Sequence, residues 1–206
     1  MEGEDHSKHK RVFLKVLLIN AVVFSAEFIV ALYSGSLTML SDSFHVFIHI
    51  IASLVGFVSE FEFLGLGPRK IKTCTALTNI ALFFISAGII AKEAIRRLAA
   101  PPELILNSPY FIIAFLGLIA NIYNAHIIDK DEHRECSQNM KILHTCMVYD
   151  AVSSVIVIAG ALAMYSLAMY FTGIFILDPV LSIVLVVLML LRGWRMLRAA
   201  LNSYFQ

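Results

Sequence analysis

Leu40-Ser41-Asp42-Ser43-Phe44-His45-Val46-Phe47-Ile48-His49 sets Asp42, His45 and His49 inside an otherwise apolar run. Read as a helix, the run carries His45 and His49 on one face, about 6 Å apart at 1.5 Å rise per residue. Ionisable side chains at bilayer depth are costly and mark function, and a four-residue spacing of imidazoles suits a metal ion. Far downstream, Cys146-Met147-Val148-Tyr149-Asp150 repeats the pattern with two further ligand types four apart, followed by Ala151-Val152-Ser153-Ser154-Val155. Two such pairs on two helices make a set of His45, His49, Cys146 and Asp150, sufficient for zinc, which takes four ligands from imidazole, thiolate and carboxylate. The competing reading is a polar cluster that joins two helices by hydrogen bonds.

Working outward, 59% of the 206 residues are hydrophobic and the mean hydropathy is +0.81, well above a soluble domain with roughly half its residues apolar. The expectation is an all-α integral membrane protein with six transmembrane helices, at about 20 residues per span. They are predicted near 12–33, 37–64, 71–98, 109–128, 140–165 and 178–201. That leaves 1–11 and 202–206 as short cytosolic tails around a transport domain over 12–201, with no room for a separate soluble domain. Gly65-Leu66-Gly67-Pro68 and Pro101-Pro102 read as helix stops, and Pro179 fits the first turn of the sixth helix. The apolar run after Arg11 is too long for a signal-peptide core and lacks a small-residue cleavage site, so it is predicted to be retained. A net charge of +1 gives no electrostatic footprint for nucleic acid.

With the N-terminus in the cytosol, thirteen of the 16 Lys and Arg fall on the cytosolic side and only Lys92, Arg96 and Arg97 on the other. The positive-inside rule therefore predicts cytosolic N- and C-termini, for a multi-pass protein of the plasma membrane or an organelle. Cys74, Cys136 and Cys146 then lie at or near the cytosolic side, where thiols stay reduced. The second and fifth helices run antiparallel, which sets His45 opposite Asp150 and His49 opposite Cys146.

Leu40-Ser41-Asp42-Ser43-Phe44-His45, preceded by Ser34-Gly35-Ser36-Leu37, resembles the second-helix signature of the cation diffusion facilitator family, and Asp150-Ala151-Val152-Ser153-Ser154-Val155 resembles its fifth-helix signature. Glu27, Asn121 and Leu177-Asp178-Pro179-Val180-Leu181-Ser182 also stand where that family has similar residues, so the likeness spans nearly the whole chain. It implies a divalent metal transporter rather than an enzyme, moving zinc out of the cytosol in exchange for protons, with no resident cofactor. It also implies a cytosolic C-terminal domain that dimerises and senses metal. The chain ends at Gln206 just after the sixth helix, so those two properties are not carried over, and a homodimer and a heterodimer both stay open.

Two positions depart from the family pattern. His49 stands where the resemblance implies a carboxylate, and Cys146 where it implies a His. Asp150 then supplies one negative charge, and the second has to come from ionised Cys146, since a coordinating thiol is deprotonated. The other reading of Cys146 is a small apolar packing residue. As ligands, the two changes soften the site and favour zinc, cadmium or cobalt over manganese and magnesium. Cys146→His is therefore expected to keep zinc transport while weakening cadmium relative to zinc, and metal competition in a flux assay checks it. Since two of the four ligands implied by the family are changed, a non-transporting partner subunit of a related transporter is the alternative function. A metal hydrolase is disfavoured because no carboxylate lies between His45 and His49 as a general base.

Four further features lie outside that ligand set. Asp42, one turn from His45, suits an exit vestibule, a proton acceptor or a helix cap. Glu27, mid-helix in the first span, needs a partner or water at that depth. Asn121 and Asn124 read as inter-helix hydrogen-bonding residues. His144, and the loop of His126, His133 and Cys136 among acidic residues, read as interfacial polar features with a lesser claim to metal entry.

Overall fold

A computed structural model of the chain describes residues 2–59, 68–129 and 138–204, with the side chains of 2–13, 49, 52–53, 55–59, 68–76, 79, 138–146, 172, 196 and 199–204 excepted. The described residues form six α-helices: α1 (Glu2–Ser34), α2 (Leu37–Ser59), α3 (Pro68–Ala99), α4 (Ser108–Asp129), α5 (Gln138–Leu167) and α6 (Leu177–Tyr204), the last entered through a 3-10 turn at Thr172–Ile176. The predicted spans fall on these helices. α1 begins at Glu2 rather than near Val12, because nothing between Glu2 and Arg11 breaks a helix except the single Gly3. Pro68 opens α3 and Pro179 sits in the first turn of α6, positions where a missing N–H does no harm. The predicted end of the second helix near Leu64, its Gly65–Gly67 stop and most of the acidic loop lie outside the described residues.

Four described helices are long and apolar enough to cross a membrane, over Leu14–Ser34, Ser108–Asp129, Met147–Leu167 and Ile174–Arg195, with a shorter apolar stretch at Leu37–Ile48. The surface pattern is inverted from that of a soluble protein. Leu18, Val22, Ile29 and Leu32 on α1, and Ile112, Leu116, Ile119 and Ile122 on α4, point outward, while Asn20, Glu27, Asp42, His45, Asn121, Asn124 and Asp150 are buried. Lipid is the solvent that stabilises this arrangement, because apolar faces lose nothing against acyl chains whereas polar groups must find partners inside.

α1, α2, α4 and α5 share a core with the start of α6 around Ala31, Met39, Tyr110, Val157, Ala161 and Leu185. α3 and α6 pack on each other and on α2 around Leu37, Ile48, Phe83, Ile90, Val186 and Met189. α2 belongs to both cores and so lies centrally, with α5 and α6 against it.

α1 turns into α2 at Gly35, whose φ of +75° is the only positive value among the described residues; a residue without Cβ adopts it at little cost. Immediately after the turn, Asp178 of α6 caps α2 from outside. Its Oδ2 accepts from the Leu37 amide at 2.8 Å, and its Oδ1 accepts from the Thr38 amide at 3.0 Å and the Ser36 hydroxyl at 2.8 Å. Ser36 Oγ accepts from the Met39 amide at 3.2 Å. The first three amides of α2, which have no partner within the helix, are thereby satisfied, and the carboxylate lies at the positive end of the helix dipole. Thr38 Oγ1 donates to the Asp178 carbonyl at 2.8 Å, and Arg97 of α3 stands 3.8 Å from Asp178 Oδ2. Two sequence stretches 140 residues apart thus fix one end of the bundle, called here the Gly35 end.

Candidate metal centre

Running antiparallel to α2, α5 sets Asp150 beside His45: Nε2 and Oδ1 are 3.0 Å apart, with both side chains buried. One turn nearer the Gly35 end, Asp42 Oδ1 accepts from Ser153 Oγ at 2.6 Å and Asp42 Oδ2 accepts from Ser154 Oγ at 3.1 Å. Both hydroxyls also lie within 3.0 Å of the Asp150 carbonyl, so each has one proton to share between that carbonyl and Asp42. Asn121 of α4 donates to Ser154 Oγ at 3.2 Å, filling a lone pair of that hydroxyl and leaving its proton for one of these acceptors. The polar cluster therefore reaches from α2 through α5 to α4, and it holds Asp42 as an acceptor rather than as a cap of its own helix.

α6 adds a group that the sequence reading left at the membrane surface. Arg192 Nη1 donates to Asp150 Oδ1 at 2.9 Å and also touches His45 Nε2. A guanidinium has donors only, so Arg192 meets Asp150 as donor to acceptor. The His45 ring packs edge-on against Phe83 of α3 at 5.2 Å, and the guanidinium carbon of Arg192 lies 4.7 Å from the Tyr149 ring centroid. Beside these groups is a cavity of about 20 Å³ lined by Ser41, Asp42, His45, Ser153, Met189 and Arg192, among others. That is room for about one water molecule.

A second polar layer lies between α1 and α4. Asn124 Nδ2 donates to Asn20 Oδ1 at 2.8 Å. Glu27 is 2% exposed, and its Oε2 has no hydrogen-bond partner among the described residues. Its carboxylate lies over Gly117, where an added Cβ would stand 2.0 Å from Oε1, so the missing side chain at 117 makes the space for Glu27.

Of the four predicted ligands, His45 and Asp150 are brought together, while the side chains of His49 and Cys146, and that of His144, lie outside the described residues. Among the described residues no group of three or more His, Cys, Asp and Glu side chains is arranged to hold a metal ion. Asn121 and Asn124 make the inter-helix hydrogen bonds expected of them. His126 is exposed; His133 and Cys136 lie outside the described residues. Sequence reasoning missed the roles of Arg192, Ser153 and Ser154. Arg192 stands within the apolar span Ile174–Arg195, but nothing in the sequence distinguishes it from Arg195 at the span's end.

Residues 14–203 match the cation efflux transmembrane domain. Over 97% of its length the chain is 28% identical to the zinc transporter ZitB of Yersinia pseudotuberculosis, covering 64% of that protein. It is 27% identical to the metal cation efflux system protein CzcD of Cupriavidus metallidurans over 97% of this chain and 63% of CzcD. A cadmium, cobalt and zinc/H(+)-K(+) antiporter of Bacillus subtilis is 24% identical over 96% of this chain and 65% of its own. The chain thus spans somewhat less than two thirds of the length of these relatives.

Proposed function

The chain belongs to the cation efflux family, and we propose that it carries a divalent metal ion, zinc by best chemical fit, out of the cytosol in exchange for protons. The ion is held between α2 and α5 by His45, His49, Cys146 and Asp150, with both termini cytosolic and the Gly35 end on the far side of the membrane. The observation that carries this reading is the 3.0 Å approach of His45 to Asp150 at a buried position between two helices. Imidazole and carboxylate at that distance share a ligand sphere readily, since zinc bonds to nitrogen and oxygen run about 2.0–2.2 Å. Relatives whose names specify zinc, or cadmium, cobalt and zinc, support the class of cargo.

Proton coupling follows from the donors. Imidazole, thiol and carboxyl groups bind metal only when deprotonated, so protons arriving from the far side displace the ion there, and their loss on the cytosolic side restores the site. Zinc uptake into proteoliposomes should rise severalfold when an opposing proton gradient is imposed. Equal rates with and without the gradient would remove exchange from the mechanism.

Arg192 gives weight to a second reading. A guanidinium already bonded to Asp150 suits a subunit that holds no metal and acts by assembling with a related transporter. Expression alone in cells stripped of their own zinc exporters separates the two, since restored zinc tolerance excludes the silent partner.

A further inference from the structure

We infer that Arg192 is an affinity-setting residue of the carrier: its guanidinium occupies the cation position between His45 and Asp150, and a divalent ion binds only by displacing it. The inference rests on the proposed reading that His45 and Asp150 hold the ion.

Three observations support it. Arg192 Nη1 makes both of its short contacts with the two atoms through which zinc would be bound, His45 Nε2 and Asp150 Oδ1. The position is not a surface one, for the Arg192 side chain is 13% exposed whereas Arg195 and Arg198, one and two turns further along α6, are exposed. Occupancy also requires a switch. Buried Asp150 needs a counter-charge at that depth, and Arg192 supplies it. A divalent ion needs the same two atoms that Arg192 Nη1 now contacts, so the guanidinium has to leave as the ion arrives. The guanidinium already makes a cation–π contact with Tyr149, 4.7 Å from the ring centroid, an attraction that does not depend on Asp150 or His45.

An ion pair that merely fastened α5 to α6 would behave differently. Removing it would weaken zinc binding or leave it unchanged, whereas removing a competitor tightens it. Arg192→Gln in the purified full chain, titrated with zinc by calorimetry beside wild type and His45→Ala, tests this. We expect the dissociation constant of Arg192→Gln to fall about tenfold, the gain when a state competent to bind rises from about a tenth of the population to nearly all of it. If His45→Ala abolishes binding but Arg192→Gln binds no more tightly than wild type, the site stands and the displacement idea is overturned. If His45→Ala binds zinc as wild type does, the site reading fails and takes the inference with it.

A measurement on the unmutated protein covers the case in which Arg192→Gln does not fold. Modification by an arginine-selective dicarbonyl, read by peptide mass spectrometry, should increase at Arg192 relative to exposed Arg195 when zinc is added. An unchanged or reduced ratio overturns the proposal.

Discussion

Asp150→Ala is expected to abolish zinc flux in proteoliposomes and to destabilise the protein by about 3–5 kcal/mol, the range for removing one partner of a buried ion pair. Both effects come from the same atom. Asp150 Oδ1 is the carboxylate oxygen nearest His45 and the acceptor of the Arg192 hydrogen bond at 2.9 Å, so its loss removes a ligand and leaves a guanidinium without its counter-charge. The two can be separated. Combining Asp150→Asn with Arg192→Gln removes both charges and keeps polar partners, so most of the stability should return, by thermal denaturation in detergent, while flux stays absent. Zinc flux surviving in Asp150→Ala would be fatal to the site, because the only carboxylate in the ligand set would then be dispensable.

Asp178→Ala is expected to cost at least about 3 kcal/mol, since hydrogen bonds to a charged acceptor are worth about 1.5–3 kcal/mol each and three donors from 36–38 converge on this carboxylate. Asp178→Asn keeps an oxygen for one group of donors but turns an amine toward the other, and should lose about half as much. Thermal unfolding of the three proteins in one detergent ranks them. Equal stability of Asp178→Ala and wild type would mean that α2 has another cap.

What could be read from the sequence was whatever repeats with the helix period. His45 and His49 are four apart, as are Cys146 and Asp150, and a basic-residue bias made α2 and α5 antiparallel, so the facing of His45 and Asp150 followed from arithmetic along two helices. The helices themselves announced their ends through Pro68, Pro101 and Pro179. Arg192 was not legible because orientation counting treats every Lys and Arg near a span end as an interfacial charge, and nothing local to residues 189–195 says that a long side chain turns inward rather than out to solvent. Asp178 had a motif but no visible partner, since the amides it holds lie near residue 37 and backbone donors carry no sequence signature. Ser153 and Ser154 were quoted as part of a pattern, yet their bond to Asp42 depends on the rotation of α5 against α2, which packing sets.

Because Asp178 clasps the first amides of α2, α6 has a fulcrum at one end and a lever arm along the rest of its length. Arg192 is on that arm, about 21 Å from Asp178 at 1.5 Å per residue. A rotation of about 10° about the clasp would carry the guanidinium roughly 4 Å over that length. That displacement is enough to break a 2.9 Å hydrogen bond to Asp150, while the clasp itself hardly moves. A small tilt at a fixed pivot would therefore empty the cation position.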